Sequence, residues 1–94
     1  MTDSDVLNGI DKAKKAYKTA CTKARRELMT AKDKAMSFFA DADDVTRAAR
    51  HNTLKRAELV CDSKLNDARI KYIDRLEKIR NVAGAWADLV PKVR

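Results

Sequence analysis

The chain is poor in the residues that punctuate and react. It has one Pro, two Gly, one His, two Cys and one Trp in 94 residues, and aromatics make up only 5%. With Gly9, Gly84 and Pro91 as its whole stock of backbone breakers, it lacks the turn chemistry that repeated strand connections need, and β-branched and aromatic residues are too few for a sheet. A lone imidazole, His51, sits among Arg50, Asn52 and Thr53, with no second His one helical turn away and no close Cys pair. Ligand sets for zinc and a Cys–His nucleophile are therefore absent from the pattern. No Gly-rich phosphate loop occurs, so no cofactor is implied and an enzyme is not expected. No stretch approaches the ~20 apolar residues of a membrane span. The opening Met-Thr-Asp-Ser-Asp lacks the basic flank and apolar run of a secretory signal, which makes the cytoplasm the expected compartment. Cys21 and Cys61, with 39 residues between them, form no disulfide framework and read as buried thiols.

What the chain does have is helical periodicity. From Thr53 to Val90, the residues Leu54, Ala57, Cys61, Leu65, Ala68, Tyr72, Leu76, Ile79, Ala83, Trp86 and Val90 recur every three or four positions, which only an α-helix places on one face. A second row runs through the first half: Val6, Ala13, Tyr17, Ala20, Ala24, Leu28, Ala31, Ala35 and Phe39. Within each row equivalent residues return every eleven positions, as Tyr17, Leu28 and Phe39 do, or Leu54, Leu65 and Leu76. Eleven residues in three turns is ~3.67 per turn, so the helices should run nearly straight rather than supercoil like a leucine zipper. Of the 45% apolar residues fifteen positions are Ala, which lets two helices approach closely but makes a thin core. The expected fold is all-α: a single domain over residues 1–94, a long antiparallel helical hairpin, coiled-coil-like with an eleven-residue repeat, associating into a helical bundle.

Between Ala40 and Thr53 the row fails, and two turn placements compete. Helix 1 covers about 4–40, with Asp3, Ser4 and Asp5 as candidate caps. In the first placement the turn lies at about 40–44 and Asp41 caps a second helix starting near 45, which sets Cys21 opposite Cys61. In the second a linker extends to 52, and Asn52 or Thr53 caps a helix from 53. The first is preferred; a single uninterrupted helix is a third option, disfavoured by the polar gap. In every case the second helix is expected to run to 90 and stop at Pro91, which cannot continue the hydrogen-bond ladder. A turn at 41 leaves its last turns overhanging.

That overhang, Ile79, Val82, Trp86, Leu89 and Val90, is the most apolar local surface and the expected partner interface, since Trp is enriched at dominant interface positions. A hairpin with an Ala-rich seam buries too little to offset chain entropy alone, so a homodimer or higher oligomer, or a protein partner, is expected. The primary functional reading is a non-enzymatic binding protein that self-associates and docks a protein through apolar faces. The alternative rests on charge. The formal net charge is +7, and helix 1 carries Lys14, Lys15, Lys18, Arg25 and Arg26 at helical spacing, a face that could lie along the phosphates of duplex DNA or structured RNA. No aromatics interleave with these cations, so stacking on single-stranded bases is not expected.

Overall fold

A computed structural model of the chain describes residues 2–40 and 43–92. Among these it contains two long α-helices and no strand: α1 spans Asp3–Phe38, α2 spans Asp44–Ala83, and a short 3₁₀ helix, Gly84–Leu89, follows. The two α-helices lie antiparallel as a hairpin 64 Å long. At ~1.5 Å per residue the forty residues of α2 account for nearly all of that length. The radius of gyration is 19.5 Å, against ~12 Å for a compact domain of this size.

Local chemistry explains where each helix begins. The cap of α1 is Thr2, one residue ahead of the expected candidates. Its hydroxyl accepts from the Asp5 amide at 3.3 Å while its own amide donates to the Asp5 carboxylate at 3.0 Å, a reciprocal capping box. Asp43 caps α2, with its carboxylate accepting from both the amide and the hydroxyl of Thr46 at 2.8 and 2.9 Å. The expected cap Asp41 lies outside the described residues. The polar stretch from Asp44 to Thr53 is helical, not a linker, and Thr53 is an interior residue whose hydroxyl bonds the Ala49 carbonyl at 2.9 Å. A cap, an acidic first turn and the helix formers Arg47, Ala48, Ala49 and Arg50 suffice here, because the first turns of this stretch project past the end of α1 and need no apolar row against it.

The register between helices differs from the one expected. Tyr17 stacks on Tyr72 with centroids 5.0 Å apart, Lys32 pairs with Glu58 at 3.5 Å, Lys64 pairs with Glu27, and Gly9 lies beneath Ile79. Counting four residues from the tyrosine pair puts Cys21 level with Ala68, not with Cys61. The slip is seven residues, or two helical turns, which restores the same rows to the same seam. Both cysteines are buried and free, and at ~1.5 Å per residue they sit roughly 10 Å apart along the axis, beyond disulfide reach.

The slip moves the overhang to the other end. Phe39 lies level with the second turn of α2, where Arg50 Nη1 donates to the Phe39 carbonyl at 3.1 Å. The first turns of α2 therefore project roughly 10 Å past the end of α1. At the terminal end the helices finish level. α2 stops at Ala83, not near Pro91, because Gly84 adopts φ 57°, ψ −118°, the corner of a type II′ turn that an L side chain resists. The 3₁₀ helix folds back over the hairpin's end, Val90 is buried at 4% exposure, and Arg80 Nη2 holds the tail by donating to the carbonyls of Val90 and Pro91 at 3.4 and 3.0 Å.

This end contains the core. Val6, Ile10, Ala13, Tyr72, Leu76, Ala83 and Val90 form one buried cluster, flanked by Tyr17, Ile79 and Ala87. Towards the turn the seam is shallower: Ala24, Ala35 and Cys61 are buried, but Leu28, Ala31, Leu54, Ala57 and Leu65 only half so.

Candidate functional site

No buried polar or charged side chain occurs among the described residues, and in that set no three His, Cys, Asp or Glu groups come together as metal ligands. His51 is exposed on α2. No described helix is long and apolar enough to cross a membrane. The chemistry this molecule offers is on its surface.

The expected apolar interface is split by the fold. Ile79 packs on the core cluster above Gly9 and Val90 is buried inside it. Val82, Trp86 and Leu89 face outward at 63, 42 and 42% exposure. Further large apolar residues, which the periodic rows did not reveal, are exposed on several faces of the turn half of the hairpin. Met29, Met36, Phe38, Val45, Leu59 and Val60 are all exposed there, Phe38 and Val45 at 82 and 80%. Between α1 and α2 on this half an open groove of about 240 Å³ is lined by Ala24, Leu28, Ala31, Ala57, Val60 and Cys61, with Glu27, Arg56 and Lys64 at its edge. Ala24, Leu28, Ala31, Ala57 and Cys61 belong to the two seam rows; Ala24 and Cys61 are buried at its floor, Leu28, Ala31 and Ala57 are left half-buried, and Val60 lies beside the seam, exposed. Sequence periodicity could place the row residues on the seam but not show that two helices leave it partly uncovered.

The expected basic face of α1, Lys14, Lys15, Lys18, Arg25 and Arg26, is exposed throughout. Lys15 is paired with Asp11 at 3.0 Å. Lys14, Lys18 and Arg25 follow one another along one strip at helical spacing with no carboxylate in ion-pair reach among the described residues, and Arg26 lies on a neighbouring strip. Comparison with known proteins adds nothing to this geometry. No family model matches the chain, and no curated protein or solved structure does.

The hairpin also builds a cationic groove from both helices. On the same side as the apolar groove but nearer the termini, Lys12 and Lys23 of α1 stand across from Lys64, Lys71, Arg75 and Lys78 of α2, over a floor of Gly9, Ala13, Ala16, Ala20 and Ile79. Two of these cations are neutralised locally, Lys64 by Glu27 and Lys78 by Asp74, and Asp67 also lines the groove near Lys64 and Lys71. The signal for this site was present in the spacing of Lys12, Lys23 and Lys34, eleven residues apart in step with the apolar repeat. The contribution of α2 was hidden because its cations alternate with acids along the chain and separate from them only on the folded surface.

Titration behaviour is correspondingly local. The Glu27 carboxyl lies below its ordinary range through its hydrogen bond to Lys64, and Asp5 and Asp43 do so through the amides they cap, those of Thr2 and Thr46. The Tyr17 hydroxyl is raised by its hydrogen bond with Cys21, then by repulsion from that thiol and by burial, with Arg69 and Arg25 opposing. These shifts belong to caps, a surface ion pair and a packed tyrosine.

Proposed function

We propose that this chain is a non-enzymatic binding protein that completes its core against another helical surface, in the simplest case a second copy of itself, and that docks a protein partner through its exposed apolar residues. The observation that carries this reading is the uncovered surface. The chain exposes 7103 Å², whereas a compact monomer of 10.6 kDa exposes ~5,500 Å². The excess, roughly 1,600 Å², is about twice what one partner contributes to a standard interface of ~800 Å² a side. The open groove lined by Leu28, Ala57 and Val60 supports self-association on the turn half as an antiparallel four-helix bundle. The terminal patch of Val82, Trp86 and Leu89 supports docking of a further protein.

Sedimentation equilibrium at micromolar concentration tests the first element. The expected mass is at least twice that of the chain, and Val60→Glu should return it to the monomer with helicity retained. A wild-type monomer throughout that range would sink self-association. For the second element, Trp86→Ala should abolish partner capture while leaving the oligomer mass unchanged.

A second reading has its own observation. Lys14, Lys18 and Arg25 are exposed, unpaired and in line, which suits phosphate contacts with duplex DNA or structured RNA, with Lys15 and Arg26 at the edges. Salt titration of binding to duplex DNA, single-stranded DNA and structured RNA should then give a logarithmic slope near about −3 or steeper, and charge reversal of the three central cations should remove it. Weak, indiscriminate binding would leave these residues as a solvated face.

A further inference from the structure

The geometry points to the cation-rimmed groove on the terminal half as the seat of an acidic amphipathic helix from a partner protein, lying along the hairpin as a third helix. This goes beyond self-association and uses different residues. Two properties of the groove select such an occupant. Its rims are predominantly cationic, with Lys12 and Lys23 facing Lys71 and Arg75; none of these four has a carboxylate in ion-pair reach among the described residues, and the acids in the lining, Glu27 and Asp67, are confined to its turnward part. Its floor is apolar and low: Gly9, Ala13 and Ala16, with Ile79 alongside. A helix whose apolar ridge enters the floor would set its flanking Glu or Asp side chains against the rims, and each ion pair would form beside surface that the ridge has desolvated.

A nucleic-acid backbone satisfies only the first property. It offers phosphates to the rims but no ridge to cover the floor. A second copy of this chain is disfavoured by charge, because it would bring a net charge of +7 against cations that already lack partners.

The test is fluorescence anisotropy of the full chain with three labelled probes: a synthetic helix carrying Leu along one face and Glu on both flanks, the same peptide shuffled so that its Leu residues share no face, and a short duplex DNA. The patterned helix should bind, with the shuffled peptide about tenfold or more weaker. Lys71→Glu combined with Arg75→Glu should weaken binding roughly a hundredfold, about tenfold for each reversed contact. Ala16→Gln, which adds a polar side chain to the floor without changing charge, should weaken it about tenfold. All substituted positions are exposed or half-buried, and circular dichroism checks that helicity is retained. Equal binding of patterned and shuffled peptides would reduce the groove to charge alone and overturn the proposal. Displacement of the patterned helix by duplex DNA would assign the rims to nucleic acid, and displacement by the protein's own association would assign the groove to a second copy; either result also overturns it. Val60→Glu, which acts on self-association, should leave peptide binding unchanged, so the two readings fail separately.

Discussion

The two ends of this hairpin are built from the same kind of row yet reach different states. At the terminal end Tyr72 and Leu76 meet Val6, Ile10 and Ala13, and the folded-back tail adds Val90 as a lid, so that Leu76 is left 2% exposed. At the turn end the equivalent large residues, Leu28, Leu54 and Leu65, remain half-buried, and Phe38 and Val45 are nearly bare. Each end has an Arg reaching helix-end or tail carbonyls, Arg50 to Phe39 and Arg80 to Val90 and Pro91. The difference is therefore not in how the ends are tied. It lies in the number of layers. Two helices cover only one flank of each other's row, and a third element closes the rest. The terminal end supplies that element from its own chain, while the turn end has no third element among the described residues.

The contrast can be broken most sharply through the register that creates it. With Cys61→Ser in place, Ala68→Cys should cross-link to Cys21 on mild oxidation, whereas the native cysteines should form no intramolecular bond. Mass spectrometry under non-reducing conditions distinguishes the two, and a native Cys21–Cys61 bond would restore the other register and remove the overhang at the turn. Next in size are core truncations. Leu76→Ala should cost about 2–5 kcal/mol, enough to unfold much of so thin a domain. Leu28→Ala should cost less than half as much at concentrations where the protein is monomeric. Equal losses in urea unfolding would mean that the turn half is as well packed as the terminal half.

The tail's contribution is smaller. No atom lies within 4 Å of a side chain added at Gly84, so Gly84→Ala tests backbone conformation alone. It should cost about 1–3 kcal/mol and change Trp86 fluorescence as the lid lifts. Wild-type emission retained with full stability would show that the corner tolerates an L residue. The smallest effect concerns pH. The carboxyls of Asp5, Asp43 and Glu27 all lie below their ordinary values in the folded chain, so their stabilisation is full above about pH 5 and is lost as pH falls through about 4 and below. The melting temperature should be level above that window and fall beneath it. Asp43→Ala should lower the plateau slightly and flatten the acid limb; an unchanged acid limb would remove the cap from the account.

Much of the architecture was legible. Two rows of three-and-four spacing, an acidic cluster between them and almost no Gly or Pro point to two long helices, and the acids at 41–44 point to a helix start there because carboxylates satisfy free amides and the dipole, although the cap is Asp43 and not the expected Asp41. The basic strip of Lys14, Lys18 and Arg25 could likewise be read from spacing and is exposed. The end of α2 was misread because Trp86 and Val90 continue the apolar spacing past Gly84, and periodicity cannot tell a helix that continues from a tail that folds back on its own face. The cationic groove was missed because its residues come from both helices and meet only in the folded register.

The sequence by itself determined the class and the faces: two long helices, the row each turns inward, and that this row is rich in Ala and poor in large side chains. The tertiary structure decided the register, the overhang and the partition of the apolar patch. The physical reason is degeneracy. Hydrophobic burial is non-directional, and two periodic rows slipped by two helical turns still meet face to face. Only particular contacts distinguish one slip from another, here the stacked tyrosines Tyr17 and Tyr72 and Ile79 over Gly9.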